Sequence, residues 1–389
     1  MLHRICFRTS LTFLAITLVL CSATSFASTA DSSGVTVQNS GDTRPYLVFA
    51  CDNNPDQFPS LFTPELIADL KSLGAGVGLS TIDFSPARTR LVQSLNAAGI
   101  PVHAGIALPS DQGGYANAGN APQVLAAFNA FDQWSTENHL KWQAVGLDIE
   151  PNLSEFAAAR NHKLQLIGLF LRRVFDGQRV VQAREAYTSI IRQMQSRGYS
   201  VETYQFPLIA DERRAHSTVL ERLLGIVDVR GNDEVLMVYT SFNHKLDSAM
   251  IWEYGPDAQA IAVGSTASSG DAATDAAFPP LNWEQFSRDL IVARHFSRTI
   301  GVYNLEGAIQ QGFIARLKTM NWNEPVVIPS QALTSAARLR KLAHVGLWLA
   351  SRAVYIATIV LLIFVWLISA FVRRRRRKRA VTTFAVPAA

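Results

Sequence analysis

The chain has 389 residues, a formal net charge of +5 and 48% hydrophobic residues. This composition excludes an intrinsically disordered chain, and the length allows one large domain with a single core. The three cysteines, Cys6, Cys21 and Cys51, are too few for a disulfide framework or a cysteine metal site. Much of the positive charge lies in the basic run at 373–379, and the rest is mildly acidic, which does not favour a nucleic-acid partner.

The first 27 residues have the organisation of a secretory signal peptide. Arg4 and Arg8 precede an apolar run at 11–20, and residues 25–27 place serine and alanine where a signal peptidase reads. The apolar run is too short for a membrane span, which needs about 20 residues. We therefore predict cleavage after residue 27, followed by a Ser/Gly/Thr-rich linker at 28–42.

Residues 43–325 alternate strand-like apolar runs with amphipathic helical stretches. Eight repeats of strand and helix in this length predict an α/β fold, a (β/α)8 TIM-barrel ectodomain. A doubly wound open sheet is the rival, but no glycine-rich turn follows the first run. The strand-like runs lie at 46–51, 76–82, 101–107, 142–149, 200–206, 234–240, 259–264 and 299–305.

Polar side chains gather where these runs end. In a TIM barrel the carboxyl ends of the strands form the mouth that carries the active site, so polar groups there are candidates for substrate contact. The candidates are Asp52 and Asn54 after the first run, Asp83 after the second, Tyr204 and Gln205 in the fifth, and Tyr303 in the eighth.

The fourth run ends in two acids, Asp148 and Glu150. Side chains alternate along a strand, so the two carboxylates face the same way, roughly 6–7 Å apart along it. One carboxylate then raises the pKa of the other, as general acid/base catalysis requires. Tyr239 in the sixth run and Glu306 after the eighth are further catalytic candidates. The structural alternatives are a salt-bridged or capping pair for the two acids, a helix cap for Glu306 and a barrel-lining role for Tyr239.

The Asp148-x-Glu150 exit resembles the end of the chitinase-type (family 18) signature and the Asp-x-Glu of muramidase-type (family 25) barrels. Met237-Val238-Tyr239 is similar to the Met-x-Tyr of the chitinase-type enzymes. The resemblance implies that Glu150 protonates the glycosidic oxygen. It also implies that Asp148 orients a substrate acetamido group and that Tyr239 hydrogen-bonds its carbonyl.

The chain departs from the chitinase-type pattern at several positions. Gln143 and Gly146 stand where that signature has acids, Thr240 stands where an aspartate follows the Met-x-Tyr, and the tryptophan expected on the last strand is absent. A second mechanism is therefore open, with the same acid and with Glu306 or Asp52 as base or nucleophile. A carboxyl separation of ~5 Å implies retention and ~6.5–9.5 Å implies inversion.

The C-terminal part of the chain reads as a membrane anchor. Residues 326–352 are predicted as a juxtamembrane stalk, and 353–372 form an uncharged apolar segment long enough for a transmembrane helix. The positive-inside rule places the basic tail, 373–389, in the cytoplasm and the N-terminal domain outside. We therefore expect a single-pass protein of the cell membrane.

Together these features predict a membrane-anchored, extracytoplasmic glycoside hydrolase-like protein that cleaves a polysaccharide by carboxylate acid/base catalysis, without a cofactor or metal. The alternative is a catalytically inactive barrel that binds glycan or a partner protein at the cell surface. A third reading is a metal-assisted phosphodiesterase with carboxylate ligands, although it lacks the histidines that such barrels use.

Overall fold

The structure is a computed structural model of the full chain. The predicted signal peptide and the basic tail lie outside the residues that it describes, as does part of the predicted linker. The described residues are 34–41, 44–152, 155, 168–170, 172–268, 275–276, 278–353, 355, 359 and 362–371.

Eight parallel strands close into a barrel in which each strand pairs with the next along the chain and the last pairs with the first. Each strand overlaps its predicted run, and helices surround the barrel, which confirms the predicted TIM-barrel fold. The barrel strands are β2 Tyr46–Cys51, β3 Gly76–Ser80, β4 Val102–Ile106, β5 Ala144–Asp148, β6 Val201–Gln205, β7 Asp233–Met237, β8 Ala260–Gly264 and β9 Thr299–Tyr303.

Helices occupy most of the connections between the strands. Short 3-10 helices lie at Pro55–Gln57, Ser110–Gln112, Thr240–Phe242 and Gly255–Asp257. The α-helices are α1 Phe58–Leu61, α2 Pro64–Leu73, α3 Pro86–Ala98, α4 Ala121–Glu137, α5 Gly177–Ser196, α6 Leu208–Arg214, α7 Val219–Leu224, α8 Ala249–Tyr254, α9 Trp283–Phe296, α10 Leu305–Gln310, α11 Phe313–Lys318 and α12 Ser330–Ser351.

The sequence defines both ends of α2 and α3. Thr63 and Ser85 cap their N-termini by accepting a hydrogen bond from a backbone N–H of the first turn, and each is followed by proline. Gly74 and Gly99 end the two helices in the left-handed conformation, which glycine adopts without a steric penalty.

The hydrophobic core lies between the barrel and the surrounding helices. Alternate side chains of each strand point outward, and in β2 the outward residues Leu47, Phe49 and Cys51 are 2% exposed or less. On the helix side, Phe286 and Leu290 of α9 are fully buried at helical spacing. Each large apolar side chain buried here contributes about 1.5–3 kcal/mol, so the sheet's outer face holds the fold together.

Two further strands lie outside the barrel. β1, Gly34–Val37, pairs antiparallel with β10, Val326–Pro329. β1 falls within the segment predicted as a linker, and β10 begins the segment predicted as a stalk. The two segments pair with each other as strands and are not extended connections at these positions. Val37 and Ile328 are buried, and their apolar side chains account for the docking of this small sheet on the barrel.

The segment predicted as a stalk continues as α12, which packs against α6 and α8. Ala332, Ala336 and Arg340 form its buried face. Small side chains at helical spacing allow close approach, and the residues that follow Arg340 in α12 are exposed or half-buried. The first half of α12 is therefore part of the folded domain.

Within the described residues, the structure contains no helix with the length and apolarity needed to cross a membrane. The segment predicted to span the membrane, 353–372, is described only at 353, 355, 359 and 362–371.

Candidate active site

A cavity of about 150 Å³ opens inside the barrel, at the carboxyl ends of its strands. Eight of its lining positions are glycine or alanine, where TIM barrels commonly carry bulky branched side chains. Protein cavities of this size admit a molecule as large as benzene, so the space suits one small ring. The eight small residues are Ala50, Gly78, Ala104, Gly105, Ala107, Gly146, Ala262 and Gly301.

Three carboxylates line this cavity: Asp52, Asp148 and Glu150. Asp148 is the last residue of β5, and Glu150 follows two positions later, so both face inward as strand alternation predicts. A loop holds their backbone in place, because Ala116 N–H donates to the Asp148 carbonyl and Glu150 N–H donates to the Ala116 carbonyl, each at 3.0 Å.

The carboxyl group of Glu150 is buried and has neither a hydrogen-bond donor nor a cation beside it among the described residues. Glu150 is 7% exposed, and no described residue donates a hydrogen bond to its carboxyl or forms an ion pair with it. Burial, followed by the charges of Asp148 and Asp52, raises the pKa of Glu150 well above its usual range. The raised pKa favours the protonated form of this side chain, which can donate a proton.

Asp148 has a similar environment. Its Oδ1 atom is buried and has no hydrogen-bond partner among the described residues. Burial, and then the charge of Asp52, raise the pKa of Asp148 to about 7. The charge of Asp148 is one cause of the raised pKa of Glu150, so the charged form of one carboxyl group favours the protonated form of the other.

Aromatic rings form one wall of the cavity. The ring centroid of Tyr239 lies 5.7 Å from that of Tyr303 and 5.9 Å from that of Phe242. Burial, and then the charges of Asp148 and the other two acids, keep the pKa of Tyr239 well above its usual range. The phenol therefore stays protonated and can donate a hydrogen bond. Tyr204, which the sequence also marked as a candidate, lines the cavity as well.

Beneath the cavity, four polar side chains form a hydrogen-bonded chain inside the barrel. The hydroxyl of Tyr46 lies 2.8 Å from His103 Nε2, and His103 Nδ1 lies 3.0 Å from Glu202 Oε1. The Tyr204 hydroxyl donates to Glu202 Oε2 at 3.0 Å. His103 also lines the cavity. This chain of contacts fixes the hydroxyl of Tyr204 from below.

Glu202 and His103 were not among the candidates selected from the sequence. The signal that could have found them is a polar residue in the middle of an apolar strand-like run, which in a barrel must face either the helices or the interior. Tyr115 was also missed, although it lines the cavity. It lies in the long loop between β4 and α4, where no periodicity indicates the direction of a side chain.

Three predicted substrate-binding residues lie outside the cavity lining. Asn54 caps the 3-10 helix that follows it, and Gln57 accepts a hydrogen bond from its backbone N–H. Asp83 pairs with Arg88 at 2.7 Å and so anchors the start of α3. Gln205 follows Tyr204 and therefore faces the opposite side of β6, where its Nε2 donates to backbone carbonyls at 3.1 and 3.2 Å. Local hydrogen bonding accounts for these three side chains.

Glu306 lies next to the cavity but is not part of its lining. Its Oε1 accepts a hydrogen bond of 3.0 Å from the backbone N–H of Asp52, while its buried Oε2 has no partner among the described residues. Burial, and then the charge of Asp52, raise the pKa of Glu306 to about 7. Glu306 therefore supports the backbone of Asp52 from behind.

Thr240, which replaces the aspartate of the chitinase-type pattern, is turned away from the cavity. It is buried, and its hydroxyl donates to Asp289 of α9. Burial raises the pKa of Asp289 to about 7. Because Asp289 is a buried residue of α9, this contact belongs to the layer between the barrel and the helices.

The three acids share a cavity but do not form a tight cluster of ligands. In the part of the chain that the structure describes, no group of three or more His, Cys, Asp or Glu side chains could hold a metal ion. The geometry therefore gives no support to the metal-assisted reading.

Several solved structures have detectable similarity to this chain, at low sequence identity. A GH5-4 broad specificity endoglucanase from an uncultured bacterium is 13% identical with a TM-score of 0.38, covering 73% of this chain and 85% of that chain. A GH5_18 protein from Streptomyces cattleya, solved in complex with GlcNAc, is 12% identical with a TM-score of 0.37, covering 77% of this chain and 81% of that one. A xylose isomerase domain protein from Planctomyces limnophilus is 12% identical with a TM-score of 0.38, covering 77% and 98%.

No protein-family model and no curated protein sequence matches this chain. The structural similarities above assign no activity to the cavity, and the proposed similarity to chitinase-type and muramidase-type enzymes stays a prediction.

Proposed function

We propose that this protein is a glycoside hydrolase-like enzyme whose general acid is Glu150, with Asp148 as its partner. One observation carries the proposal: a buried, uncompensated carboxyl group lies in a cavity at the carboxyl ends of a TIM barrel, beside two further acids. Glycoside hydrolysis requires such a division, because one carboxyl group must be protonated while another is charged.

In this mechanism Glu150 donates its proton to the glycosidic oxygen as the bond to the leaving sugar breaks. Asp148 supports the positive charge that develops on the sugar ring, and its own negative charge keeps Glu150 protonated before the reaction. Asp52 is the better candidate for the base or nucleophile than Glu306, since it lines the cavity while Glu306 lies behind it. Tyr239 donates a hydrogen bond to the bound sugar.

The composition of the cavity disfavours phosphorylated substrates. No lysine or arginine is among the described residues that line it, and an anion would meet three carboxylates. Tyrosine rings and acids suit sugars, because the rings cover the apolar faces and the acids accept hydrogen bonds from hydroxyl groups.

We further propose that the enzyme is exported and held at the cell membrane by the segment 353–372. The uncharged composition of this segment and the basic run that follows it support the proposal. So does the exposure of eight large apolar side chains between residues 362 and 371, which a lipid environment would cover. Removing residues 353–389 should move the protein from the membrane fraction to the soluble fraction. Recovery of the truncated protein with membranes would contradict the anchor.

The second candidate function is a catalytically inactive barrel that binds glycan. The small cavity and the departures from the chitinase-type pattern favour it. The two functions differ in one measurable respect, since a binding protein retains glycan but releases no reducing ends.

The test of the hydrolase proposal is Glu150→Gln in the full chain, assayed for reducing ends on a panel of polysaccharides. The amide keeps the shape of the side chain but cannot act as an acid, so we expect cleavage to fall by ~10²–10⁴-fold. The matched control is Glu65→Gln, which makes the same change at an exposed position of α2. Equal cleavage by Glu150→Gln and the wild type would overturn the assignment of the acid.

A further inference from the structure

The barrel surrounds the cavity on every side. Each barrel strand contributes at least one residue to the cavity lining, and each strand is hydrogen-bonded to both of its neighbours around the closed sheet. Neighbouring strands lie only about 4.8 Å apart, so no gap between them admits a glycan chain. A ligand can therefore enter the cavity only along the axis of the barrel.

Side chains close the barrel at the amino ends of its strands. The hydroxyl of Tyr46 on β2 lies 2.8 Å from His103 Nε2 on β4, and His103 Nδ1 lies 3.0 Å from Glu202 Oε1 on β6, so one hydrogen-bonded chain crosses the interior. Val235 of β7 and Ala260 of β8 belong to a buried apolar cluster that fills the remaining part. These side chains form a floor, and the cavity opens at the carboxyl ends of the strands.

Asp148 and Glu150 lie at different depths in this cavity. β5 runs toward the opening and ends at Asp148, and Glu150 lies two residues further along. The chain stays extended there, because Ile149 N–H donates to the Tyr204 carbonyl at 3.1 Å and Ile149 forms a parallel β-bridge with Ala116. Extended residues advance by ~3.3 Å each, so Glu150 lies ~6–7 Å further along the strand direction than Asp148. Asp148 is therefore the deeper acid, and Glu150 is closer to the opening.

The depths of the two acids define which side of the glycosidic bond lies inside the barrel. In the proposed function Glu150 protonates the leaving oxygen, and Asp148 supports the positive charge that develops on the other ring. That ring must therefore lie deep in the cavity, and the leaving sugar must lie at the opening. The volume of about 150 Å³ accommodates one small ring, so the rest of the glycan stays outside the barrel.

We infer that the cavity binds only the non-reducing terminal unit of a glycan, end on, so that cleavage releases one sugar unit at a time. The cleavage part of this inference rests on the proposed function, and the binding part rests on the closed barrel and its floor. An internal unit carries a neighbour on each side. One neighbour can lie at the opening, but the other would collide with the floor of Tyr46, His103 and Glu202.

The cleavage step consumes one water molecule. The bond between the anomeric carbon and the glycosidic oxygen breaks, and its electron pair stays on that oxygen, which takes the proton of Glu150. Water supplies the hydroxyl group that the anomeric carbon gains, and its remaining proton passes to the carboxylate that acts as base. Exchange with solvent then returns a proton to Glu150. The products are one monosaccharide and a glycan that is shorter by one unit.

The experiment compares hexasaccharides whose two ends are modified separately. The probes are β-1,4 hexamers of glucose, of mannose and of N-acetylglucosamine and the α-1,4 hexamer of glucose. Each is used unmodified, with a benzyl group on O4 of the non-reducing unit, or with 2-aminobenzamide on the reducing unit. Because C4 lies across the ring from the anomeric carbon, a group on O4 points at the floor of the cavity.

Binding is measured by titration calorimetry on the full chain in detergent micelles, with Glu150→Gln replacing the wild type for any hexamer that the wild type cleaves. We expect the O4-benzyl form to bind at least tenfold more weakly than the unmodified hexamer, and the 2-aminobenzamide form to bind equally well. Equal binding of the O4-benzyl form would overturn the inference.

The products of the wild type give the second readout. We expect the first labelled product of the 2-aminobenzamide hexamer to be the pentamer, together with free monosaccharide. Labelled products of one to four units at the start of the reaction would overturn the inference and leave the hydrolase proposal standing. Selective binding of the unblocked end without cleavage would remove the hydrolase proposal and leave end-on binding standing. If no hexamer binds or is cleaved, both are overturned.

Two glycines of the cavity wall test whether the ligand lies inside the barrel. A Cβ atom at Gly78 or at Gly105 would lie 3.7 Å from its nearest neighbour, so alanine adds bulk to the cavity there without a clash. We expect Gly78→Ala and Gly105→Ala to keep the circular dichroism spectrum of the wild type and to bind the unmodified hexamer at least fivefold more weakly. Gly177→Ala, where a Cβ atom meets nothing within 4 Å, is the matched control and should bind like the wild type. Wild-type affinity in both cavity variants would place the sugar outside the barrel interior and overturn the inference.

Discussion

Two buried charged regions of this protein are built in opposite ways. Under α12, Arg340 donates to Asp211 at 2.9 Å, contacts Asp257 and lies 4.4 Å above the ring of Tyr254. In the cavity, Glu150 has no such contact among the described residues. The charges of Arg340, Asp211 and Asp257 are matched, whereas the cavity concentrates acids. The first region stabilises the fold, and the second is held in place by it.

The two regions also differ in how their protons are held. Although burial works against it, hydrogen bonds to Asp257 and Asp211 raise the pKa of Arg340, so this charge persists at all relevant pH values. Burial raises the pKa values of Asp148 and Glu306 to about 7, so these two groups change charge near neutral pH, and it raises the pKa of Glu150 well above its usual range. A site that must exchange protons requires the second arrangement, and a structural contact requires the first.

Breaking the ion pairs of Arg340 should have the largest effect on the free energy of unfolding. Arg340→Met removes the cation and leaves Asp211 buried without its partner, so we expect the free energy of unfolding to fall by about 3–5 kcal/mol. Urea denaturation followed by circular dichroism measures it. Arg338→Met, an exposed position on the same helix, is the control and should change little. A loss below 1 kcal/mol would show that α12 does not depend on this contact.

A smaller effect is expected from filling the cavity. A Cβ atom at Gly146 would lie 2.9 Å from Cε2 of Tyr204, so Gly146→Ala must displace that ring. We expect a loss of about 1–3 kcal/mol in the free energy of unfolding and weaker glycan binding. Gly177→Ala, where a Cβ atom meets nothing within 4 Å, should be neutral or stabilising. Unchanged binding in Gly146→Ala would place the ligand elsewhere.

Removing one unmatched acid should stabilise the protein, in contrast to the loss expected at Arg340. Asp148 has a pKa of about 7 in the folded protein and about 3.9 when unfolded, so the folded state binds more protons in that interval. The stability of the wild type therefore falls as pH rises from ~4 to ~7. We expect Asp148→Asn to be about as stable as the wild type at pH 4.5, and more stable by about 1 kcal/mol or more at pH 8.

Urea denaturation at the two pH values measures this difference. Asp56→Asn, at an exposed position that is not part of the cavity lining, should have the same small effect at both. If the difference in the free energy of unfolding between Asp148→Asn and the wild type does not grow with pH, the charged form of Asp148 must be stabilised in the folded protein.

The smallest effect is expected at the surface. Asp69 pairs with Lys318 where both side chains are partly exposed, at 33% and 39%. Such a pair contributes about 0–1 kcal/mol, because water screens the charges and the side chains lose entropy. Asp69→Asn should therefore lower the midpoint of thermal unfolding by no more than a few degrees, and a larger shift would mean that this contact holds α11 to α2.

Periodicity alone predicted the barrel and its strands, because each parallel strand is a short apolar run bounded by a turn. Six predicted site residues line the cavity: Asp52, Asp148, Glu150, Tyr204, Tyr239 and Tyr303. Their positions followed from one rule, that the carboxyl ends of parallel strands meet at one face of the barrel. The same rule also selected Asn54 and Asp83, whose side chains form local hydrogen bonds, because proximity to a strand end does not determine the direction of a loop side chain.

The amino-acid sequence by itself determined the class of fold and the acids at the end of the fourth strand-like run, because both depend on residues close together in the chain. Only the tertiary structure decided that His103 and Glu202 lie beneath the cavity, that Glu306 lies behind Asp52, and that residues 326–340 pack onto the barrel domain. These facts depend on contacts between residues far apart in sequence, and the pairing of distant side chains leaves no periodic trace in the chain.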